Sequence, residues 1–351
     1  MFLARRSASY IQHPAWYRAY FQCGHESPAA LSFLAVRRDS ALVAVFPVAY
    51  RRRSGILRRA GLPISKVITA TDCCIAEGEN GAEIWRFVRE GAQSIEGCGW
   101  DVFAAGGRGH LASSDIHSCL HGNHRLTLRT PHVESCATLR VRDYAEVQGT
   151  LSKKFRYSLR RGHRELEQLG TTRFRICAGA DDVADGLEAF VRLEQAGWKG
   201  NADSRRAGYN NGAAIANTEW KLTFFRHFVQ EMAADSLAEI CQVLVGEQLV
   251  GSQLTFVIGD TAYVLKTTYD ENIKDASIGH LMLENSLQRY ACDHSTIRTI
   301  NLVSNYPWVR KWRPDVQPYY RLSDFRATPS GVAGAARARL RSYFNARPST
   351  R

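Results

Sequence analysis

Apolar and polar positions alternate in two separate parts of the chain, and each alternating part is followed by an apolar stretch with helical spacing. Residues 31–50, LSFLAVRRDSALVAVFPVAY, predict a β-hairpin whose strands meet across Arg38-Asp39-Ser40. VITATDCCIAE then predicts a strand, GAEIWRFVREGAQSIE a helix and WDVFAAG another strand. The same order returns later. EICQVLVGEQLVGSQLTFVIG, residues 239–259, predicts a hairpin turning near Gly246-Glu247; TAYVLKTTY a strand; IGHLMLENSLQRYAC a helix; and TIRTINLVS a strand. Repetition of one supersecondary order argues for two copies of one α/β unit. Ahead of the first copy, HPAWYRAYFQC predicts a short helix with Pro14 in its first turn.

Between the copies, Val147, Leu151, Phe155, Leu159, Gly162, Leu166 and Leu169 recur in steps of three and four. They predict one helix over about 147–169. DDVADGLEAFVRLEQAGWKG predicts the next, capped by Asp181 or Asp182 and stopped by Gly197. The loop KGNADSRRAGYNNGAA leads to a further helix over about 217–234. After Pro318 the pattern predicts a strand-like segment. The basic tail SGVAGAARARLRSYFNARPSTR then reads as a solvated end, with a short amphipathic helix as the alternative. The expected division is 1–140, 141–328 and a tail, 329–351.

At 351 residues the chain is long enough for two domains. No apolar run approaches the roughly 18 residues of a membrane span. The twin Arg5-Arg6 has no apolar core after it, so no signal sequence is expected and the expected location is cytoplasmic. The nine cysteines are scattered, with only Cys73-Cys74 adjacent, which suits reduced thiols and supports no zinc site. No metal is expected. There is no GxxxxGK[ST], no HExxH and no nucleophile elbow, so P-loop, zincin and serine-hydrolase chemistry lose ground.

Charge changes the picture more. Lys+Arg number 46 against 34 Asp+Glu, a net charge of +12, which draws phosphates or other anions. Lys153, Lys154, Arg156, Arg160, Arg161 and Arg164 fall on the 147–169 helix, before its first acid at Glu165. A solvated face, a site for a phosphate or carboxylate substrate, and an RNA-binding face all fit that run. The scarcity of aromatics there, Phe155 and Tyr157, gives little support to base stacking.

Two stretches can carry chemistry. In TTYDENIKDASIGHLMLE, residues 267–284, the chain enters a helix through Ser277-Ile278-Gly279. A helix start exposes unpaired N–H groups that can hold an anion, and Lys274 and His280 add donors. An ordinary cap by Ser277 explains the same residues. The first copy's counterpart, IAEGENGAEIW, places Glu77 and Glu79 at the approach, so that copy is expected to bind no phosphorylated cofactor. In LEQAGWKG, Glu194 and Trp198 share a helix face, and Lys199 lies at its end, either over a substrate pocket or complementing the helix dipole.

Taken together, LSKKFRYSLRR, LEQAGWKG, VGSQLTF and YVLKTTYDE…SIGHLMLE resemble the Gcn5-related acetyltransferase (GNAT) superfamily. The likeness is to the subgroup found with cellulose-biosynthesis proteins and related to the Fem aminoacyl transferases. It covers about residues 145–305 and, more loosely, 10–125. The resemblance implies two tandem acetyltransferase-like folds, each a mixed α/β sheet flanked by helices, with the active site in the second. It implies direct transfer of an acetyl or other acyl group from coenzyme A to an amine of a small or anionic acceptor. The cofactor contacts would be Lys266, Thr267, Thr268, Lys274, Ser277, Ile278, Gly279 and His280. Asp270 or Glu271, or else Glu194, would serve as base. Tyr306 would be the acid for the leaving thiolate, or an aromatic packed at a strand end. Trp198, Lys199, Gln253, Arg160 and Arg161 would bind the acceptor. The superfamily's loop is Arg/Gln-x-x-Gly-x-Gly/Ala, whereas Lys274 to Gly279 has one glycine. That departure leaves room for an aminoacyl-tRNA donor or for a non-catalytic binding protein of the same fold.

Overall fold

The computed structural model describes residues 9–23, 31–53, 57–61, 74–75, 81–94, 100–107, 127–201, 214–292 and 296–345. In chain order the helices and strands are α1 (Pro14–Gln22), β1 (Leu31–Arg38), β2 (Ala41–Arg53), β3 (Leu57–Gly61), β4 (Cys74–Ile75), α2 (Gly81–Ser94), β5 (Val102–Gly107) and β6 (Thr127–Arg140). There follow α3 (Tyr144–Thr150), α4 (Lys153–Leu169), β7 (Thr172–Ala178), α5 (Ala180–Ala196), α6 (Glu219–Ala234), β8 (Ala238–Val245), β9 (Gln248–Ile258) and β10 (Thr261–Tyr269). The chain closes with α7 (Ile278–Cys292), β11 (Thr299–Asn301), β12 (Asp315–Phe325) and α8 (Pro329–Asn345).

Two compact units result, neither of them a single run of chain. One is Met1–Pro14, Glu26–Glu134 and Pro318–Arg351; the other is Ala15–His25 and Ser135–Gln317. In the first, β1, β2 and β3 are antiparallel neighbours, β3 runs parallel to β5, and β12 pairs antiparallel with β5. The β1–β2 turn is the expected one, with positive φ at Asp39 (46°) and Ser40 (71°), as a two-residue hairpin turn requires. Phe46, Ile84, Trp85, Val88, Trp100 and Phe103 form its core, with the Trp85 and Phe103 rings 5.1 Å apart.

The second unit repeats the topology: β8, β9 and β10 are antiparallel, and β10 runs parallel to β11 after α7. β3, parallel to β5, thus stands where β10 does in the second unit, and the strand expected over residues 67–77 is described only in part. Of those, only Cys74 and Ile75 are described, and they pair with β2. β7 and the β6 end extend the second sheet at its two sides.

Both faces of the second sheet are covered. Gly251 and Gln253 of β9 face α7, meeting Ile278 and Ser286. Strand alternation sends Ser252, Leu254 and Phe256 to the opposite face, where the Phe256 ring lies 4.7 Å from Phe228 of α6. Trp16 of α1 packs edge-on against Phe224 and Phe228 from outside.

Three expectations change. The single helix over 147–169 is two, because Leu151 turns extended (ψ 147°) and Ser152 caps α4 by accepting from Phe155 N. The strand over 296–304 is ordered as β11 for only three residues. The tail is a helix over 329–345, with Ala335 packed against Val102 and Phe325, and Asp101 accepting from Ser330 Oγ at 2.6 Å.

Phe155, Leu159, Gly162 and Leu166 are the buried stripe of α4. Gly162 belongs there for a steric reason: a Cβ would stand 2.3 Å from the carbonyl oxygen of Ala276, just before α7. Gly162→Ala should therefore destabilise by about 1–3 kcal/mol through overpacking. Gly149→Ala, with nothing within 4 Å of the new Cβ, should be neutral or stabilising by up to about 1 kcal/mol. Denaturant titration of the two variants separates them.

Candidate active site

β10 keeps a parallel partner only over Thr261–Tyr263, paired with Thr299–Asn301. Beyond that point the chain after β11 stays with β6: Leu302 N donates to Ala137 O, and Ala137 N to Ser304 O. The two parallel strands therefore part while β10 runs on to Tyr269. Val303 sits at φ 58°, a costly conformation for a β-branched residue, as the chain turns toward Tyr306. Tyr306 flanks the 3₁₀ turn Pro307–Trp312 and is half-buried against the core.

At the far end of β10, Asp270 opens the 3₁₀ turn Glu271–Ala276 by accepting from Asn272 N at 2.9 Å. Glu271 reaches back to the end of α5 and accepts from Trp198 N at 3.3 Å. Ser277 takes φ 55° and accepts from His280 N through its carbonyl. Its hydroxyl has no hydrogen-bond partner among the described residues, so the side-chain cap expected of it is not formed. The N–H groups of Ile278 and Gly279, in the first turn of α7, have no intrahelical acceptor. The Ile278 side chain is buried against Gly251, and a Cβ at Gly279 would meet nothing nearer than Thr267 Cγ2 at 4.0 Å.

On the other face of β10 lies a buried charge cluster. Glu194, on the last turns of α5, is 0% exposed. Lys266 Nζ stands 2.8 Å and Lys199 Nζ 3.6 Å from its Oε1, while Ile215 N donates to Oε2 at 2.8 Å. Burial alone would raise the Glu194 carboxyl pKa. The two ammonium groups and the Ile215 N–H outweigh it and hold that pKa below the usual carboxylate range. Lys199 also donates to the Thr267 carbonyl, and its own carbonyl accepts from Ala214 N at 3.1 Å and Asn217 Nδ2 at 3.2 Å. Desolvation and the Lys266 charge pull the Lys199 pKa down to about 8 against the pull of Glu194. Lys221, in the first turn of α6, is buried too; burial and Lys266 lower its pKa, with Glu194 opposing.

The residues expected to form one site divide between the two sheet faces. Glu194, Trp198, Lys199, Lys266 and Thr268 belong with α5 and α6. Thr267, Ser277, Ile278 and Gly279 belong with α7. Glu194 is an ionised anchor with both oxygens occupied. Gln253 is turned away from Lys266 and donates to Ser286 Oγ at 3.1 Å, 2% exposed. His280 is enclosed by Phe155, Trp308 and Trp312, and its Nδ1 accepts from Trp312 Nε1 at 3.0 Å. Burial and Lys311 push its pKa down to about 4, so the ring is neutral and brings no positive charge to the start of α7. Arg160 and Arg161 lie exposed on α4, the helix of the α7 side, and Arg161 pairs with Glu165. They do not join Lys199. The Lys274 side chain, Glu77, Glu79, Cys73 and residues 202–213 lie outside the described residues.

Sequence reading missed Lys221 and the buried Ser252 hydroxyl. A lone lysine in an apolar helix, EWKLTFF, was the available signal for the first. Among the described residues no group of three or more His, Cys, Asp or Glu could hold a metal, and no helix is long and apolar enough to cross a membrane.

Residues 153–308 match the acetyltransferase (GNAT) domain family, from the first turn of α4 to the turn beyond Tyr306. This segment is similar to a GNAT-type acyltransferase domain. No curated protein matches the chain. Among solved structures, the C-terminal domain of a candidate lysylphosphatidylglycerol synthetase from Agrobacterium fabrum is 13% identical with a TM-score of 0.56, over 96% of this chain and 94% of its own. FemX is 10% identical with a TM-score of 0.55, over 86% and 90%. L-PGS from Bacillus licheniformis is 13% identical with a TM-score of 0.52, over 97% and 94%. At these identities the likeness is one of fold, and it extends over nearly the whole chain.

Two outcomes follow from the cluster. Glu194→Gln leaves two ammonium groups without their buried partner and should cost about 3–5 kcal/mol in a denaturant titration. Lys199 binds its proton less tightly folded (about 8) than unfolded (10.5), so between those pH values the unfolded chain holds more protons. The stability of the wild type relative to Lys199→Met should therefore rise from pH 8 to 10.5, by at most about 1.4 kcal/mol per pH unit. A flat difference in melting temperature across that range would contradict the assignment.

Proposed function

We propose that the protein transfers an acyl group from a coenzyme A thioester directly to an amine, with the second unit carrying the site. The supporting observation is a GNAT-type segment in which α7 begins with open backbone N–H groups beside a β10 that has left its parallel partner. Placement in the subgroup found with cellulose-biosynthesis proteins rests on the sequence motifs quoted above.

Coenzyme A would supply an activated acyl group on a good leaving thiolate. The N–H groups of Ile278 and Gly279 and the Ser277 hydroxyl would hold its pyrophosphate, with Lys274 a further candidate. Backbone N–H groups around Lys266–Thr268 would receive the developing oxyanion. Glu271, beside the Trp198–Lys199 turn, would take the amine proton as the C–N bond forms; Asp270 is engaged in capping the turn. Tyr306 would protonate the sulfur as the C–S bond breaks. The first unit would support the fold without a cofactor of its own.

A second reading, transfer from an aminoacyl-tRNA as in Fem-type proteins, draws on the single glycine at 279 and on Arg160. That arginine is exposed and has no partner among the described residues. It requires tRNA binding that weakens steeply with salt and is lost on neutralising Arg160 and Arg161.

Acetyl-CoA decides for the first reading. At 100 times its dissociation constant it should stabilise the protein by about 2.7 kcal/mol, read as a rise in melting temperature. Ser277→Glu, which sets a carboxylate where the pyrophosphate would lie, should abolish the rise. No shift at millimolar acetyl-CoA would sink the coenzyme A reading.

A further inference from the structure

Lys199 Nζ stands at the open edge of β10. Asp270 N donates to Val250 O at 2.8 Å, in register with the β9–β10 pairing. In an antiparallel pair, the backbone groups of alternate residues point to opposite edges of the strand. Those of residues 266, 268 and 270 therefore point to β9, and those of Thr267 and Tyr269 point away from it. On that second edge β11 pairs only with Thr261–Tyr263. The Thr267 N–H and C=O thus open into the gap where the parallel strands part, and the carbonyl accepts from Lys199 Nζ. The end of α5 lies at the same edge, since a Cβ on Gly197 would stand 4.0 Å from Tyr269 O.

The N–H and C=O of one strand residue lie side by side on the same edge. An acyl oxygen held by the Thr267 N–H would leave the acyl carbon next to the amine that occupies the Thr267 carbonyl, and Lys199 is that amine. Its surroundings also let it lose a proton. Lys266 is the tight partner of Glu194, at 2.8 Å, and Lys199 the looser one, at 3.6 Å. With Lys199 neutral, Glu194 still keeps Lys266 and the Ile215 N–H. Burial and the Lys266 charge bring the Lys199 pKa down to about 8, with Glu194 opposing. The side chain is 20% exposed, so it is reachable. Its backbone is fixed, with the carbonyl held by Ala214 N and Asn217 Nδ2.

We propose that Lys199 Nζ is an acyl acceptor in its own right, modified by the protein's own coenzyme A thioester at the open edge of β10. The proposal rests on the acyl-transfer reading of the second unit. The neutral amine attacks the thioester carbon, and the C–N bond forms as the C–S bond breaks. One proton leaves the nitrogen and one proton ends on the sulfur. The products are one Nζ-acyl-lysine and one free thiol, with no other reactant. The amide nitrogen carries no charge and is no longer a nucleophile. The event therefore happens once per chain and closes the acceptor position to external amines.

Intact mass and peptide mapping after incubation with acetyl-CoA test this, with the melting response to acetyl-CoA followed in parallel. One acetyl group per chain should appear at Lys199, at least tenfold faster than at the exposed Lys153 and Lys154. Acetic anhydride, which needs no cofactor site, should reverse that order. Labelling of Lys199 should slow about tenfold for each pH unit below about 8 and level off above it, as the amine facing Glu194, Lys266 and Lys221 loses its proton. Lys199→Arg should lose the single-acetyl species, and Ser277→Glu should lose it together with the melting response. Should either variant not fold, the wild-type peptide map carries the test. A melting response without acetylation of Lys199 would overturn the proposal and leave the acyl-transfer reading standing; absence of both would end both. Labelling of Lys199 no faster than that of Lys153 and Lys154, or unchanged in Ser277→Glu, would overturn it too.

Discussion

A single buried carboxylate organises the candidate site. Glu194 has no contact with solvent, and its charge survives burial because two ammonium groups and a backbone N–H surround it. Each of those partners comes from a different segment: β10, the turn after α5, and the turn before α6. An ion buried this way costs several kcal/mol to desolvate, and the cost is offset only when all partners hold their places. The arrangement therefore makes the positions of three segments depend on one carboxylate. It also ties them to Thr267, through Lys199, at the strand where the parallel pairing ends.

Division of labour between the two faces of the second sheet follows from strand alternation. The bulge between Val264 and Lys266 sets which residues of β10 face α5 and which face α7. Lys266 and Thr268 go one way and Thr267 the other. The α7 face is apolar and close-packed, with Gly162 and Gly251 letting backbone come near backbone and side chain. The α5–α6 face holds the charge. One strand thus separates the close-packed support of the helix start from a cluster of buried charge.

Much of this was legible in the sequence. The boundaries of β10 and α7 were read to the residue, because TAYVLKTTY is β-rich and IGHLMLENSLQRYAC carries helical periodicity between small and charged punctuation. The repeated hairpin–strand–helix–strand order was visible too. What escaped depended on contacts across distance. The break at Leu151-Ser152 interrupts an unbroken apolar stripe, and only the cap on Phe155 N reveals it. His280 looked like a donor because it follows Gly279, yet three aromatic rings from other segments enclose it. Glu194 looked like a base, and Lys266 like a cofactor contact; that they pair is a contact across a separation of 72 positions. Lys221 gave almost no local sign, since a lysine in an aromatic-rich helix is ordinary until its neighbours are known.

The hydrogen bond from Ala214 N to Lys199 O joins the two ends of the segment between them at 3.1 Å. Lys199 is thereby gripped twice, through its carbonyl by Ala214 N and Asn217 Nδ2 and through its ammonium by Glu194 and the Thr267 carbonyl. One residue is the hinge pin of three segments, so any motion that lifts the end of α5 must also pull on β10 and on the entry to α6.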